Sequence, residues 1–280
     1  MYESNGNRDC LDVEGAVPCV IFDWAGTVLD FGSIAPVSAF MESFEIHGVP
    51  VTEAEVRLPM GAAKRDHLKE ILKQPDVSVR WKTIKGCLST DADVDAIYAT
   101  FLRVDAEKSS VYSQLIAGTL ETIQALRAQG IRIGSTTGYP RSIMDLLVPL
   151  AEAQGYITDC CVTVSEVDRG RPYPDMLLAN VQALGIGAVH GCVAVDDSPS
   201  GLAAARAAGI WAVGIAVSGN EVGLSLEQWN ALSEPAQQEA RARATAKLEQ
   251  AGAHYVIDTI ADLLPVIADI NAQLKAGARP

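Results

Sequence analysis

Val20-Ile21-Phe22-Asp23-Trp24-Ala25-Gly26-Thr27-Val28-Leu29-Asp30 opens as a short apolar run, meets a carboxylate, and breaks at a glycine three residues later. This pattern predicts a buried strand running into a loop, with Asp23 at the strand's carboxyl end. Ligands of an open α/β sheet bind outside the carboxyl ends of its strands, so Asp23 stands where chemistry is usually done. A strand followed by an Asp- and Gly-rich turn accounts for the same residues without any function. A lone D-x-x-G does not choose between the two.

The chain around this stretch has 280 residues, enough for a core burying roughly three quarters of the unfolded surface in one large domain or two smaller ones. Hydrophobic residues make up 49% and charged ones 20%, the balance of a soluble globular protein. Against 22 Lys and Arg stand 35 Asp and Glu, a net charge of −13 with no basic run. Such a chain is a poor match for a phosphate backbone, so nucleic acid is not an expected partner. Cys10, Cys19, Cys87, Cys160, Cys161 and Cys192 form no C-x-x-C, and several lie in or beside apolar runs. They are expected to be reduced core residues of a cytoplasmic protein. Met1 to Gly15 lacks the basic start and apolar run of a signal peptide, and no segment is apolar for long enough to span a membrane.

From Ile34 to about Tyr112 the periodicity is helical. Val37, Phe40, Met41 and Phe44 share one helix face, which ends near Gly48. Thr52 precedes Glu53 and Glu55 as an N-cap with acidic residues in the first turn. A helix is expected from Ala62 to Lys73, stopped by Pro75. Another is expected over Asp76 to Asp91, with Trp81, Ile84 and Leu88 at helical spacing, and a last one from Asp93 to Ser110. Beyond this block, strands and helices alternate. Strands are expected at Ile131–Thr137, Cys160–Val164, Cys192–Val195, Trp211–Val217 and Tyr255–Ile257. Thr119 is expected to cap the helix before the first of these, Gly130 to close it as a left-handed residue, and Pro140 to open the helix after it. Pro235 to Gln250 reads as a mostly exposed helix with one thin apolar face. The fold class is therefore α/β: a Rossmann-like, doubly wound parallel sheet. Residues 1–33 and 113–280 are expected to build the core, and residues 34–112 an inserted α-helical cap domain.

Four strand ends would then deliver Asp23, Thr137, Arg171 and the pair Asp196-Asp197 to one rim. Each has a plain structural reading as a helix cap or a solvated loop charge. Their order and types resemble the four motifs of the haloacid dehalogenase (HAD) superfamily, whose nucleophile loop usually reads D-x-D-G-T. The resemblance implies a HAD-like core and phosphoryl transfer by a carboxylate nucleophile, with a divalent cation, a hydroxyl and an arginine around the phosphoryl group. An all-oxygen acidic ligand set suits Mg²⁺ better than zinc.

Ala25 departs from that loop. It stands where phosphatases of the superfamily carry the Asp that protonates a leaving alkoxide, so the leaving group here needs other help. Arg57-Leu58-Pro59-Met60-Gly61-Ala62-Ala63-Lys64-Arg65-Asp66-His67 offers Lys64 on the first turn of a helix, with His67 on the same face. A helical lysine alone reads as a solvated charge. Taken with D-W-A-G-T, G-S-T-T-G-Y and G-R-P-Y-P, the P-M-G-x-x-K-x-D-H string resembles the phosphonoacetaldehyde hydrolase family, from about Val17 through Ile260.

The resemblance implies hydrolysis of a phosphonate P–C bond through a Lys64 imine and an aspartyl phosphate on Asp23. Met60 and His67 would assist the lysine. Thr137, Gly138, Tyr139 and Arg171 would hold the phosphoryl group, and Asp23, the Ala25 carbonyl, Asp196 and Asp197 would hold Mg²⁺. Lys64 would need a lowered pKa in a partly dry cleft to react as the free amine. The family's fourth motif commonly reads G-D-T-x-S-D, whereas here Gly201 replaces the distal Asp and Asp196 stands before Asp197. The expectation is that Asp196 supplies the relocated ligand. A small-molecule phosphonate is the expected partner and a homodimer the expected assembly. Turnover of another phosphonate or a phosphate ester, or a silent metabolite-binding protein, are the alternative readings.

Overall fold

The structure, a computed structural model, describes residues 15–280; Cys10 and nearly all of the Met1–Gly15 stretch lie outside the described residues. In chain order the elements are β1 (Cys19–Phe22), α1 (Ile34–Ile46), α2 (Glu53–Arg57), α3 (Lys64–Lys73), α4 (Pro75–Lys85) and α5 (Asp91–Val111). They continue with α6 (Thr119–Ala128), β2 (Arg132–Thr137), α7 (Arg141–Ala153), β3 (Cys160–Thr163), α8 (Asp175–Ala183), β4 (Val193–Asp196) and α9 (Pro199–Ala208). The last are β5 (Trp211–Ile215), α10 (Leu226–Ala231), α11 (Glu234–Gln250), β6 (Tyr255–Ile257) and α12 (Leu263–Lys275).

The strands form one sheet in the order β3-β2-β1-β4-β5-β6, every neighbouring pair parallel. The central strand shows why the run at Val20 is apolar throughout. Val20 and Phe22 enter the hydrophobic cluster on one face, and Cys19 and Ile21 enter the cluster on the other. A strand covered by helices on both sides needs apolar residues at both parities. The helices α1 to α5 build a third cluster of their own around Phe40, Phe44, Leu68, Trp81, Ile97 and Phe101. Among the described residues no helix is long and apolar enough to cross a membrane.

Several local expectations hold. Thr52 caps α2 through a reciprocal capping box with Glu55. Gly130 takes the left-handed conformation after α6, at φ 76°. Only Ala240, Ala244 and Leu248 of α11 are buried.

Others need correction. Pro75 ends α3 only in the sense that it occupies the first turn of α4, where its missing N–H costs nothing. The helix expected to reach Asp91 stops at Lys85, because Gly86 turns left-handed; Ile84 and Leu88 are exposed. Thr119 is the first helical residue rather than the cap, and its hydroxyl donates to the Val28 carbonyl instead. Pro140 is the residue before α7, not its first. Cys87 is exposed, unlike the buried Cys19 and Cys192. The helices α10 and α12 are not among the expected elements, although Leu263, Ile267 and Ile270 bury one face of α12 at helical spacing.

Candidate active site

Strand register decides which residues meet. Phe22 lies beside Ser135 on one side and Val195 on the other, so β1, β2 and β4 end together. Asp23 follows β1 directly, and its amide donates to the Val195 carbonyl at 2.9 Å. Asp196 closes β4, Thr137 closes β2, and Arg171 arrives from the loop after β3. Asp23, Thr137, Arg171, Asp196 and Asp197 are all buried.

Arg171 is the hub of this rim. Its Nη2 lies 2.8 Å from Asp23 Oδ1, 3.0 Å from Asp196 Oδ2, 2.8 Å from Thr136 Oγ1 and 3.2 Å from the Thr136 carbonyl. One nitrogen has two protons for these four oxygens, so the bonds are shared. The surrounding carboxylates hold the guanidinium firmly in its charged form against burial. Asp196 Oδ1 also accepts from the Ser198 amide at 3.0 Å and its hydroxyl at 2.7 Å, while Asp197 Oδ2 accepts from the Asn220 amide at 2.8 Å.

Asp23, Asp196 and Asp197 bring one carboxylate oxygen each within 4.8 Å of one another. Burial, and then repulsion between the carboxylates, pushes Asp197 well above the ordinary carboxylate range; burial likewise raises Asp196, with Arg171 opposing. One guanidinium does not neutralise three buried carboxylates. The excess negative charge and the all-oxygen donor set fit a hard divalent cation.

The helical segment supplies the opposite wall. Lys64 is the first residue of α3 and is buried. Its Nζ lies 4.6 Å from the centroid of the Tyr139 ring and 5.7 Å from that of Phe40. Burial lowers its pKa, and the nearby Arg171 pushes the same way against Asp105 and Asp23. A position at a helix N-terminus also disfavours an ammonium. The loop before α3 packs directly on the core. A β-carbon on Gly138 would meet the Ala62 carbonyl at 2.8 Å, so glycine is required for this approach. The Met60 carbonyl accepts from the Ser200 hydroxyl at 3.1 Å.

A narrow cleft results, lined among others by Asp23, Ala25, Met60, Lys64, Thr137, Gly138, Tyr139, Arg171 and Asp197. Two expected residues stand behind that wall. Asp196 does not line the cleft itself but bonds Arg171, which does. His67 is fully buried, with its ring tilted against Phe40 at 4.1 Å between centroids. Its Nε2 lies 2.7 Å from the Val56 carbonyl, which can only accept, so Nε2 carries the proton and Nδ1 is left without a partner. Burial, aided by the charge of Lys64, lowers the His67 pKa to about 3. It is a neutral ring beneath the lysine rather than a cleft residue.

Three residues near the site carried no sequence signal of their own. Arg57 bonds the Gly32 carbonyl at 3.0 Å, Asn220 Oδ1 at 3.1 Å and the Gly223 carbonyl at 2.8 Å. Asn220 in turn holds Asp197. Asp105 on α5 is a fully buried carboxylate whose two oxygens have no hydrogen-bond partner. All three matter through contacts between segments far apart in sequence.

The model of the haloacid dehalogenase-like hydrolases matches residues 17–209. A phosphonoacetaldehyde hydrolase from Klebsiella pneumoniae subsp. pneumoniae is 48% identical over 266 residues, covering 94% of this chain and 99% of that protein. One from Pseudomonas fluorescens is 48% identical over 261 residues, covering 93% and 95%. The crystal structure of a phosphonoacetaldehyde hydrolase-like protein from Oleispira antarctica superposes with a TM-score of 0.94 at 43% identity, covering 100% of both chains. A β-phosphoglucomutase from Clostridium difficile, at 13% identity and a TM-score of 0.66 over 93% of this chain and 99% of its own, shares the fold alone. On these matches the chain belongs to the haloacid dehalogenase-like hydrolases and, within them, to the phosphonoacetaldehyde hydrolase family.

Proposed function

We propose that this enzyme hydrolyses the P–C bond of phosphonoacetaldehyde to acetaldehyde and phosphate, with residues 34–112 as the cap over a core of residues 1–33 and 113–280. The observation that carries the reading is that Lys64 and Asp23 line one cleft, with Ala25 in place of a second acid. Direct cleavage would expel a carbanion, which proton donation to an oxygen cannot help. The free amine of Lys64 instead condenses with the aldehyde, releasing water and leaving an iminium. Asp23 attacks phosphorus, and the electron pair of the P–C bond moves into the enamine. Water then hydrolyses the aspartyl phosphate, releasing phosphate and restoring Asp23. The enamine takes a proton on carbon, and hydrolysis of the resulting iminium frees acetaldehyde and Lys64.

Burial of Lys64 favours its amine form, which the first step needs. Arg171, Thr137 and Gly138 are positioned to hold phosphoryl oxygens, with Tyr139 flooring the lysine and Met60 beside it. His67 acts from beneath by keeping α3 and Lys64 in place. Asp23, Asp197, Asp196 and the Ala25 carbonyl are the groups that would hold Mg²⁺, which when bound neutralises charge on the phosphoryl group.

Borohydride added with substrate should inactivate the enzyme and leave one reduced adduct per chain, at Lys64. Lys64→Arg is the control: it keeps the charge but cannot condense with an aldehyde, since its pKa stays above roughly 12. That variant should release almost no phosphate. Substantial activity in it, or an adduct on another lysine, would overturn the imine.

A further inference from the structure

We infer that Asp105 is the buried counter-charge of Lys64, a positioning residue on the neighbouring helix that holds the lysine's cation and the iminium made from it. This rests on the imine reading above and adds to it a residue outside the cleft wall. Asp105 lies one helical turn from Phe101 and one from Ser109 on the same buried face of α5. Phe101 stacks on Phe40 at 4.3 Å, and Phe40 in turn lies beneath both His67 and Lys64. The helix α5 that carries Asp105 packs against both α1 and α3, the helix that opens with Lys64.

Both Asp105 oxygens and the Ser109 hydroxyl are buried without a hydrogen bond of good geometry. A carboxylate in that condition is costly unless a charge offsets it. The charges around Lys64 are Asp105 from α5, Asp23, Arg171 and Asp197 from the core rim, and Asp30 from the loop after β1; among the carboxylates Asp105 acts on it most strongly. Lys64 is likewise the largest charge lowering the Asp105 pKa, which burial has raised to about 7; Asp30 opposes it.

The other carboxylates are engaged. Asp23 pairs with Arg171 and is the proposed nucleophile, Asp197 accepts from Asn220, and Asp30 accepts from the Ile34 and Ala35 amides at the start of α1. Of these carboxylates, Asp105 is the one without an ion pair or a hydrogen bond of good geometry. A cation forming on Lys64 between the Phe40 and Tyr139 rings favours the ionised form of Asp105 and gains from a carboxylate that the phosphoryl chemistry does not consume.

The test is Asp105→Asn, which keeps shape and removes charge, with Asp105→Glu as the charge-retaining partner. Two readouts are compared with wild type in variants whose thermal unfolding remains cooperative. The first is labelling of Lys64 by acetic anhydride against pH, mapped by mass spectrometry, which needs no imine. Its midpoint should fall in Asp105→Asn, because the group favouring the ammonium has gone, and return toward wild type in Asp105→Glu. The second is the yield of borohydride-reduced substrate adduct at neutral pH, expected to fall about tenfold in Asp105→Asn. An unmoved labelling midpoint in Asp105→Asn would overturn the counter-charge role. A moved midpoint without any wild-type adduct would leave the charge coupling standing and remove the imine instead.

Discussion

The Asp196 carboxylate fills the space that a β-carbon on residue 201 would occupy. The Gly201 amide donates to Ser198 Oγ at 3.2 Å, and that hydroxyl donates to Asp196. In this backbone a carboxylate at 196, as it is placed here, and any side chain at 201 compete for one volume. Gly201→Ala should therefore push Asp196 off Arg171, lowering stability by about 1–3 kcal/mol. Mg²⁺ affinity, measured by titration calorimetry, should weaken in both Gly201→Ala and Asp196→Ala. An unchanged titration in both variants would leave Asp196 with only its bonds to Arg171 and Ser198.

Asp23→Asn should abolish phosphate release, on the order of a thousandfold or more, since an amide is no nucleophile toward phosphorus. Its fold should survive, because the residue is held by a backbone bond to Val195 that the substitution keeps. Full turnover in a folded Asp23→Asn variant would remove the phosphoaspartate.

Arg57 joins α2 to the segment leading into α1 and to the turn that holds Asp197. Its bonds to Gly32 and Gly223 carbonyls and to Asn220 are charge-assisted and largely shielded from water. Arg57→Ala is expected to cost about 2 kcal/mol of stability. Amide exchange within residues 34–112 should quicken and KM should rise more than kcat falls. Exchange rates equal to wild type would show that Arg57 does not hold residues 34–112 in place.

His67 has a sign that can be worked out. Its pKa is about 3 when folded, against 6.5 for the free side chain. Between those values the unfolded chain binds the extra proton, so the contribution of this group is full above 6.5 and is lost as pH falls toward 3. His67→Gln should flatten the acid side of the stability profile by up to about 1.4 kcal/mol per pH unit relative to wild type. Denaturant midpoints at several pH values would measure this. Parallel profiles would mean that His67 becomes charged in the folded protein.

How much of this was legible in advance depends on the distance over which each cause acts. Asp23, Thr137 and Arg171 could be placed at strand ends because those are marked locally, by apolar runs, glycines and prolines, whereas Lys64 stood out only through the resemblance of its motif. Ile84 and Leu88 misled for the same reason: their spacing is helical, but Gly86 ends α4 between them. Thr119 shows the opposite failure, a capping residue by type whose hydroxyl is taken by Val28, 91 positions away.

By itself the sequence determined the parallel sheet, the helical segment after the first strand and the residues of the cleft, because periodicity and short motifs are written in neighbouring positions. Only the tertiary structure decided that Asp105 is buried on another helix without a hydrogen-bond partner, that His67 is buried against Phe40, and that Arg57 reaches Asp197 through Asn220. Burial and charge depend on what the chain brings back from far away, and α1 to α5 and the sheet meet at this cleft from separate stretches of the chain.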